Sequence, residues 1–230
     1  MKKRNVYRLA DGTRVPGVTS ISSILSKPAL IFWSANKAVE HVEENWKPDK
    51  SYSKEDIKIV LSDAKCAHLR AKEDAGDFGS GIHEIVEAYI GGQLKPESLD
   101  GNERKALANF IFATKGWEWL GSEIVVINEK YRYGGTADGL AKLPDGKIVI
   151  TDIKTGHGVY PEADLQVAMY AYAKPQNKSL AGAWSKIEEA RILHFNKKRI
   201  TWEVLERDIS CQYDFIPHFR ECYEWRKLFE

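Results

Sequence analysis

Two apolar runs on either side of Pro144-Asp145-Gly146 constrain this chain more than any other feature. A turn triplet between such runs folds the segment back as an antiparallel hairpin. The first run opens with Tyr133-Gly-Gly-Thr-Ala-Asp138-Gly, and the second ends with Ile150-Thr-Asp152-Ile-Lys154-Thr-Gly156. The hairpin therefore brings Asp138 and Asp152 onto neighbouring strands. Ile148 to Ile150 form the continuous apolar run of a strand buried on both faces. Side chains alternate along a strand, so Asp152 and Lys154 point to one side while Ile153 points into the core.

Two carboxylates gathered by a hairpin repel each other unless a cation sits between them. A hard divalent ion with oxygen ligands, Mg²⁺ or Mn²⁺, suits that place. Such an ion would polarise a phosphoryl oxygen and acidify a bound water. Lys154 would orient that water or offset charge developing in the transition state. The chemistry this predicts is phosphodiester hydrolysis. By spacing alone, Asp152 and Lys154 also fit an ordinary ion pair on a partly exposed strand, with Asp138 in a turn.

The run Gly-Gly-Thr-Ala-Asp138-Gly, then after thirteen residues Asp152-Ile-Lys154-Thr, then Leu165-Gln166-x-x-x-Tyr170, resembles the PD-(D/E)XK nuclease superfamily. Within it the pattern is most similar to the RecB-like exonuclease branch, which includes phage exonucleases and the mitochondrial genome maintenance exonuclease. The resemblance implies a restriction-endonuclease-like α/β core: a small mixed sheet flanked by helices, with a helical N-terminal half. It implies Asp138 and Asp152 as metal-binding acids, Ile153 as a ligand through its backbone carbonyl, and Lys154 as the catalytic lysine. Gln166 matches the glutamine on the helix after the catalytic strand, and Tyr170 the aromatic one turn further on, a DNA contact. His83, in Gly79-x-x-x-His83, resembles a histidine of the first core helix that serves as a further metal ligand. Asp152 stands where many members have Glu. The four-cysteine pattern of relatives with an iron-sulfur cluster is not matched, so no cluster is expected.

A chain of 230 residues suffices for one sizeable core, and a single domain is expected over residues 1–230. Its parts would be a helical segment of about 19–120, a catalytic sheet and helix of about 121–174, and a hairpin and helix of about 190–230. A net charge of +1 does not mark a chain that coats nucleic acid, although a local basic rim can still hold DNA beside an acidic site. Cys66, Cys211 and Cys222 are too few and too scattered for a disulfide framework or thiolate metal site, and are expected to be reduced core residues. Met1-Lys-Lys-Arg4 is basic, but no apolar run of signal-peptide or membrane-spanning length follows. A cytoplasmic protein is expected.

Along the chain, a short strand pair around Asp11-Gly12 is followed by a helical turn at Ile21 to Leu25, capped by Thr19 or Ser20. Pro28 opens a helix whose Ile31, Trp33, Ala35, Ala38, Val39 and Val42 read as core, its aromatic residues being alternatively partners for stacking on bases. Ser53 with Asp56 caps a helix towards Ala75, and a second runs from about Phe78 to Ile90 with His83 and Glu87 on one face. A further helix spans Glu103 to Trp119, with Ala106, Phe110, Ala113 and Trp117 inward. Strands follow at Glu123 to Glu129, Tyr131 to Leu143 and Lys147 to Thr155, Glu129 being a candidate third carboxylate. His157 lies in the next loop, placed for a phosphate contact or simply exposed.

The helix from Pro161 to Ala173 returns Gln166 to the end of the catalytic strand, where an amide positions a phosphate or water. Ala190 to Phe195 and Ile200 to Leu205 form a second hairpin tipped by Asn196-Lys197-Lys198-Arg199, a DNA-phosphate contact or edge protection by charge. Ser210 to Glu230 reads as an amphipathic helix with Phe215, Phe219, Cys222 and Trp225 towards the sheet. The reading is a Mg²⁺- or Mn²⁺-dependent DNA exonuclease of recombination, repair or phage DNA processing, with DNA ends or single strands as partner. A homo-oligomer or a recombination partner fits beside it. A structure-selective endonuclease of the same fold and a noncatalytic nucleic-acid-binding module are the alternatives.

Overall fold

The chain is seen in a computed structural model that describes residues 5–25 and 27–229, so the basic run Met1 to Arg4 lies outside the described residues. It divides into two compact units, residues 26–80 and residues 1–25 with 81–230.

The N-terminal strands β1 (Tyr7–Arg8) and β2 (Arg14–Val15) pair antiparallel. Gly12, at φ 83°, supplies the left-handed corner between them. Helix α1 (Val18–Ser22) starts earlier than the expected turn at Ile21 and has Gly17, not Thr19 or Ser20, at its N-cap. Burial decides this, because starting at Val18 puts both Val18 and Ile21 out of water.

In the 26–80 unit, α2 (Pro28–Asn45) opens on Pro28 as expected. None of its side chains is buried, and Ile31 is 70% and Val39 56% exposed, so the core expected along this helix is not formed. The unit consists of α2 and the first part of α3 (Lys54–Ile90), with no further layer of its own to cover an apolar face. Trp46 stacks on Tyr52 at 4.6 Å between the two helices' ends. The Ser53 cap is present: its hydroxyl accepts from Asp56 N–H at 3.1 Å, while its own N–H donates to Asp56 Oδ2 at 2.9 Å. Two helices were expected where α3 runs unbroken for 37 residues. Gly76, Gly79 and Gly81 each cost about 1 kcal/mol in a helix, but no proline interrupts the hydrogen-bond ladder.

The larger unit holds a six-stranded mixed sheet. Helix α4 (Gly101–Ala113) is set by a reciprocal cap in which Glu103 N–H donates to Asp100 Oδ1 and Asp100 N–H to Glu103 Oε2, both at 2.8 Å. It stops at Ala113 instead of reaching Trp119, because Gly116 at φ 80° reverses the chain into β3 (Glu118–Asn128). Then come β4 (Tyr133–Lys142), β5 (Ile148–Lys154), α5 (Pro161–Tyr172), the short β6 (Lys174–Pro175), α6 (Ala181–Trp184), β7 (Ile187–Asn196), β8 (Thr201–Asp208) and α7 (Ile216–Lys227). The sheet order is β6-β3-β4-β5-β7-β8, with β5 and β7 parallel and the other pairs antiparallel. The Pro144 turn closes as anticipated, with Gly146 at φ 90° and its N–H donating to Leu143 O at 2.9 Å.

Alternation along β5 divides the core. Ile148 and Ile150 pack with Met169, Val167 and Ile192 on the α5 side, whereas Ile153 joins Val86, Phe110 and Leu193 on the other. Helix α5 lies across β4, β5 and β7. It is pinned there by Tyr133, whose hydroxyl donates to Met169 O at 2.9 Å, and by Asn128, whose amide donates to Tyr172 O at 3.1 Å.

The inward stripe of α7 is shifted from the one expected. Ile216 is buried and Phe219 and Tyr223 are partly so, while Phe215 is 54% and Trp225 64% exposed. The chain delivers Ile216 to the core beneath α1 and α5, and helical spacing then turns residues 219 and 223 inward. All three cysteines are exposed free thiols, contrary to the core placement expected of them. Among the described residues, no helix is long and apolar enough to cross a membrane.

Candidate active site

The hairpin sets the site. Gly139 pairs with Thr151 across β4 and β5, so the next residues outward, Asp138 and Asp152, arrive opposite each other at the open end of the sheet. Both line a cavity of about 430 Å³ together with Lys154, Gln166, Tyr170 and His83. The alternation argued from sequence holds, since Lys154 Nζ lies 2.6 Å from Asp152 Oδ2. That contact seats the ammonium on the buried Asp152 Oδ2, which has no other donor beside it. Taking such a pair out of water carries a desolvation cost that the single ammonium repays only in part. Asp138 differs, with Oδ2 accepting from Ile153 N–H at 2.6 Å and Oδ1 3.6 Å from His83 Nδ1.

These surroundings push the two carboxyls apart. Burial raises both. For Asp138 the contact and charge of His83, the Ile153 N–H and Lys154 together outweigh burial and hold it below the usual carboxylate range. For Asp152 burial prevails, aided by the neighbouring Asp138 charge and opposed by Lys154, and the carboxyl is pushed up to about 6. Burial works against the Lys154 ammonium, but the Asp152 charge and contact overcome it and raise its pKa. Burial likewise opposes His83, and the Asp138 contact and charge overcome it and raise the imidazole's pKa.

Lys154 is held from two sides, because its ammonium also donates to Gln166 Oε1 at 2.9 Å. The Gln166 amide in turn donates to Ser22 Oγ at 3.0 Å. Sequence reasoning missed Ser22. Its only sequence signal is a small polar residue on the buried side of α1, where a hydroxyl needs a partner. It also missed the cavity's outer wall, where the Tyr7 hydroxyl lies 3.0 Å from Thr136 Oγ1; Asn5 Nδ2, outside the cavity lining, donates to the same oxygen at 3.1 Å.

The glycines before Asp138 let this wall close. A Cβ on Gly134 would stand 2.4 Å from Tyr7 Cβ, and one on Gly135 2.5 Å from the Tyr170 ring. Tyr170 lines the cavity with its ring packed over Gly135 and only 5% exposed. Glu123, with a left-handed φ of 48°, lies level with Asp138, between the pairs Ser122 with Gly139 and Ile124 with Ala137.

Other expected residues lie elsewhere. Glu129 Oε1 accepts from Ala10 N–H at 2.9 Å, which ties it to the N-terminal hairpin and away from the carboxylates. Glu87 and the exposed His157 do not line the cavity. Lys197, Lys198 and Arg199 do sit at the sheet end that carries Lys154, since β5 and β7 run parallel with Lys154 beside His194. The Lys198 and Arg199 amides donate to Asn196 Oδ1, both at 3.1 Å, and the tip stays outside the cavity wall.

No family model matches the chain, and no curated protein matches it. Among solved structures it is similar to the crystal structure of the archaeal protein SSO0001, with 13% identity over 86% of each chain and a TM-score of 0.40. A likeness that loose carries no argument about chemistry.

Proposed function

We propose that this chain is a Mg²⁺- or Mn²⁺-dependent deoxyribonuclease that hydrolyses phosphodiester bonds, acting as an exonuclease in DNA recombination, repair or phage DNA processing. The observation that carries the reading is the pair of largely buried carboxylates, Asp138 and Asp152, opposite each other in one cavity with the Lys154 ammonium beside Asp152. A fold gathers like charges out of water at a cost in stability that one ammonium repays only in part, and a divalent cation between the two acids would remove the rest.

The donor set fits a hard ion: two carboxylates from Asp138 and Asp152, the Ile153 carbonyl, and His83 beside Asp138. Among the described residues no three His, Cys, Asp or Glu side chains are gathered closely enough to chelate an ion alone. Solvent oxygens would complete the shell, which suits Mg²⁺, an ion that usually keeps several waters. When bound, the metal would supply Lewis-acid polarisation of a phosphoryl oxygen and acidification of water.

The chain's own residues do the rest. Lys154, fixed between Asp152 and Gln166, presents a positive charge where the pentavalent phosphorus would gather negative charge. Gln166 limits the lysine to one orientation, and Ser22 does the same for Gln166. Tyr170 and Gly135 close the inner wall against water.

The deciding experiment is cleavage of duplex and single-stranded DNA with Mg²⁺ or Mn²⁺ by wild type, Asp152→Asn and Lys154→Ala, with folding followed by circular dichroism. Loss of cleavage in both folded variants supports the assignment. Full activity in either one refutes it.

A further inference from the structure

Beside the catalytic cavity runs a second, larger cleft of about 750 Å³, and Tyr7 and Thr19 line both. Its walls come from the N-terminal hairpin, the turn between β3 and β4, and α7. They carry four cations, Arg14, Arg132, Arg220 and Lys227, against the one carboxylate of Glu224. In a chain whose net charge is only +1, such a concentration of positive charge in one groove is local design and not a by-product of overall composition.

The cations divide into two sorts. Arg220 is spent on the fold: its Nε donates to Tyr131 O at 3.0 Å, and its guanidinium pairs with Glu224, so α7 is fastened to the β3–β4 turn and the one acid is neutralised. The others face the cleft with little to hold them. The Arg14 side chain is exposed and has no ion-pair or hydrogen-bond partner among the described residues. Arg132 has Asp11 within electrostatic reach, and its left-handed φ of 53° makes it the corner of the β3–β4 turn. Lys227 lies over the Tyr223 ring at 5.1 Å.

Three exposed cations lining one groove, whose single carboxylate is already paired with Arg220, match a ligand with repeated negative charge. Two tyrosines, Tyr7 and Tyr223, line the same walls. We propose that this cleft holds the DNA strand adjoining the scissile bond, Arg14, Arg132 and Lys227 contacting successive backbone phosphates as the strand passes Tyr7 and Thr19 into the catalytic cavity. The inference rests on the nuclease reading for the choice of ligand. It adds where the strand enters, which the acids and Lys154 do not reveal. Contacts of this kind bind backbone without reading bases, so affinity should be sequence-independent and strongly salt-dependent.

The test measures binding of a fluorescent oligonucleotide in EDTA, as a function of salt, by wild type and by the double variant Arg14→Gln/Arg132→Gln. Lys186→Gln, which removes an exposed charge elsewhere, is the control. Arg220 is left alone because its loss would loosen α7. Each lost phosphate contact should lower the slope of log Kd against log salt by about one. The double variant should therefore bind at least tenfold more weakly at moderate salt, with the control unchanged. In Mn²⁺, its kcat/KM for the oligonucleotide should fall at least tenfold further than that for bis(p-nitrophenyl) phosphate, a small diester that does not reach the cleft. A double variant with wild-type affinity and salt slope would overturn the cleft assignment and leave the nuclease reading standing. Weakened binding with no cleavage by wild type would support the cleft and defeat the nuclease reading. Wild-type protein with no affinity for DNA would overturn the inference outright.

Discussion

The side-chain amide of Gln166 donates to Ser22 Oγ at 3.0 Å, joining residues 144 apart in the chain and ending a relay that begins at Asp152 and passes through Lys154. Neither Ser22 nor Gln166 is placed to move a proton; together they hold the ammonium. Ser22→Ala should therefore lower kcat by about three- to tenfold, in line with the ~1 kcal/mol of one hydrogen bond, with KM little changed. Gln166→Ala should cost more, since it frees the lysine directly. Metal affinity, read by calorimetry, should be kept in both. An unchanged kcat in Gln166→Ala would remove it from the mechanism.

Asp152 carries the clearest trade between stability and function. Its carboxyl is raised to about 6, so the folded state favours the neutral acid, and its contribution to stability is full below the unfolded value near 3.8 and lost as pH rises through about 6. Without metal, Asp152→Asn should then melt a few degrees higher than wild type at pH 7.5, with the gap closing towards pH 4. With Mn²⁺ the order should reverse, because only wild type gains from binding. A wild-type metal affinity that does not weaken below pH 6, where the proton competes for the carboxylate, would contradict this.

End-labelled linear DNA should be degraded faster than covalently closed circles of the same sequence. Equal rates on gels would move the activity from exonuclease to endonuclease. The catalytic residues would keep their roles either way.

Gly135→Ala should destabilise the fold by about 1–3 kcal/mol, since the added methyl would meet the Tyr170 ring at 2.5 Å and neither the strand nor the buried ring has room to give. A drop of several degrees in melting temperature is expected, with a fall in activity as Tyr170 shifts. Gly146→Ala, at a turn with open space but φ 90°, is the comparison: it should cost backbone strain and leave activity intact.

The hairpin could be read from sequence because its signals are local. A Pro-Asp-Gly turn fixes register, and once register is fixed, alternation dictates that Asp138, Asp152 and Lys154 converge. Helix ends were less legible. Gly116 stops α4 by taking a left-handed φ of 80°, while Gly76 and Gly79 are carried through α3, and a lone glycine does not announce which it will do. The faces of α2 and α7 were also misread. Helical spacing proposes several stripes, and the surroundings choose one, Ile216 on α7 and none that is buried on α2. Ser22 and Tyr7 were invisible because they reach the site through tertiary contacts alone, with partners 144 and 129 positions away in the chain.

The three surface thiols bear on any measurement of assembly state. Cys66, Cys211 and Cys222 are unpaired and open to solvent, so air oxidation can link one molecule to another through chemistry unrelated to recognition. A dimer band that vanishes on adding dithiothreitol would report storage history, and only an oligomer that persists under reductant would count as a property of the folded surface.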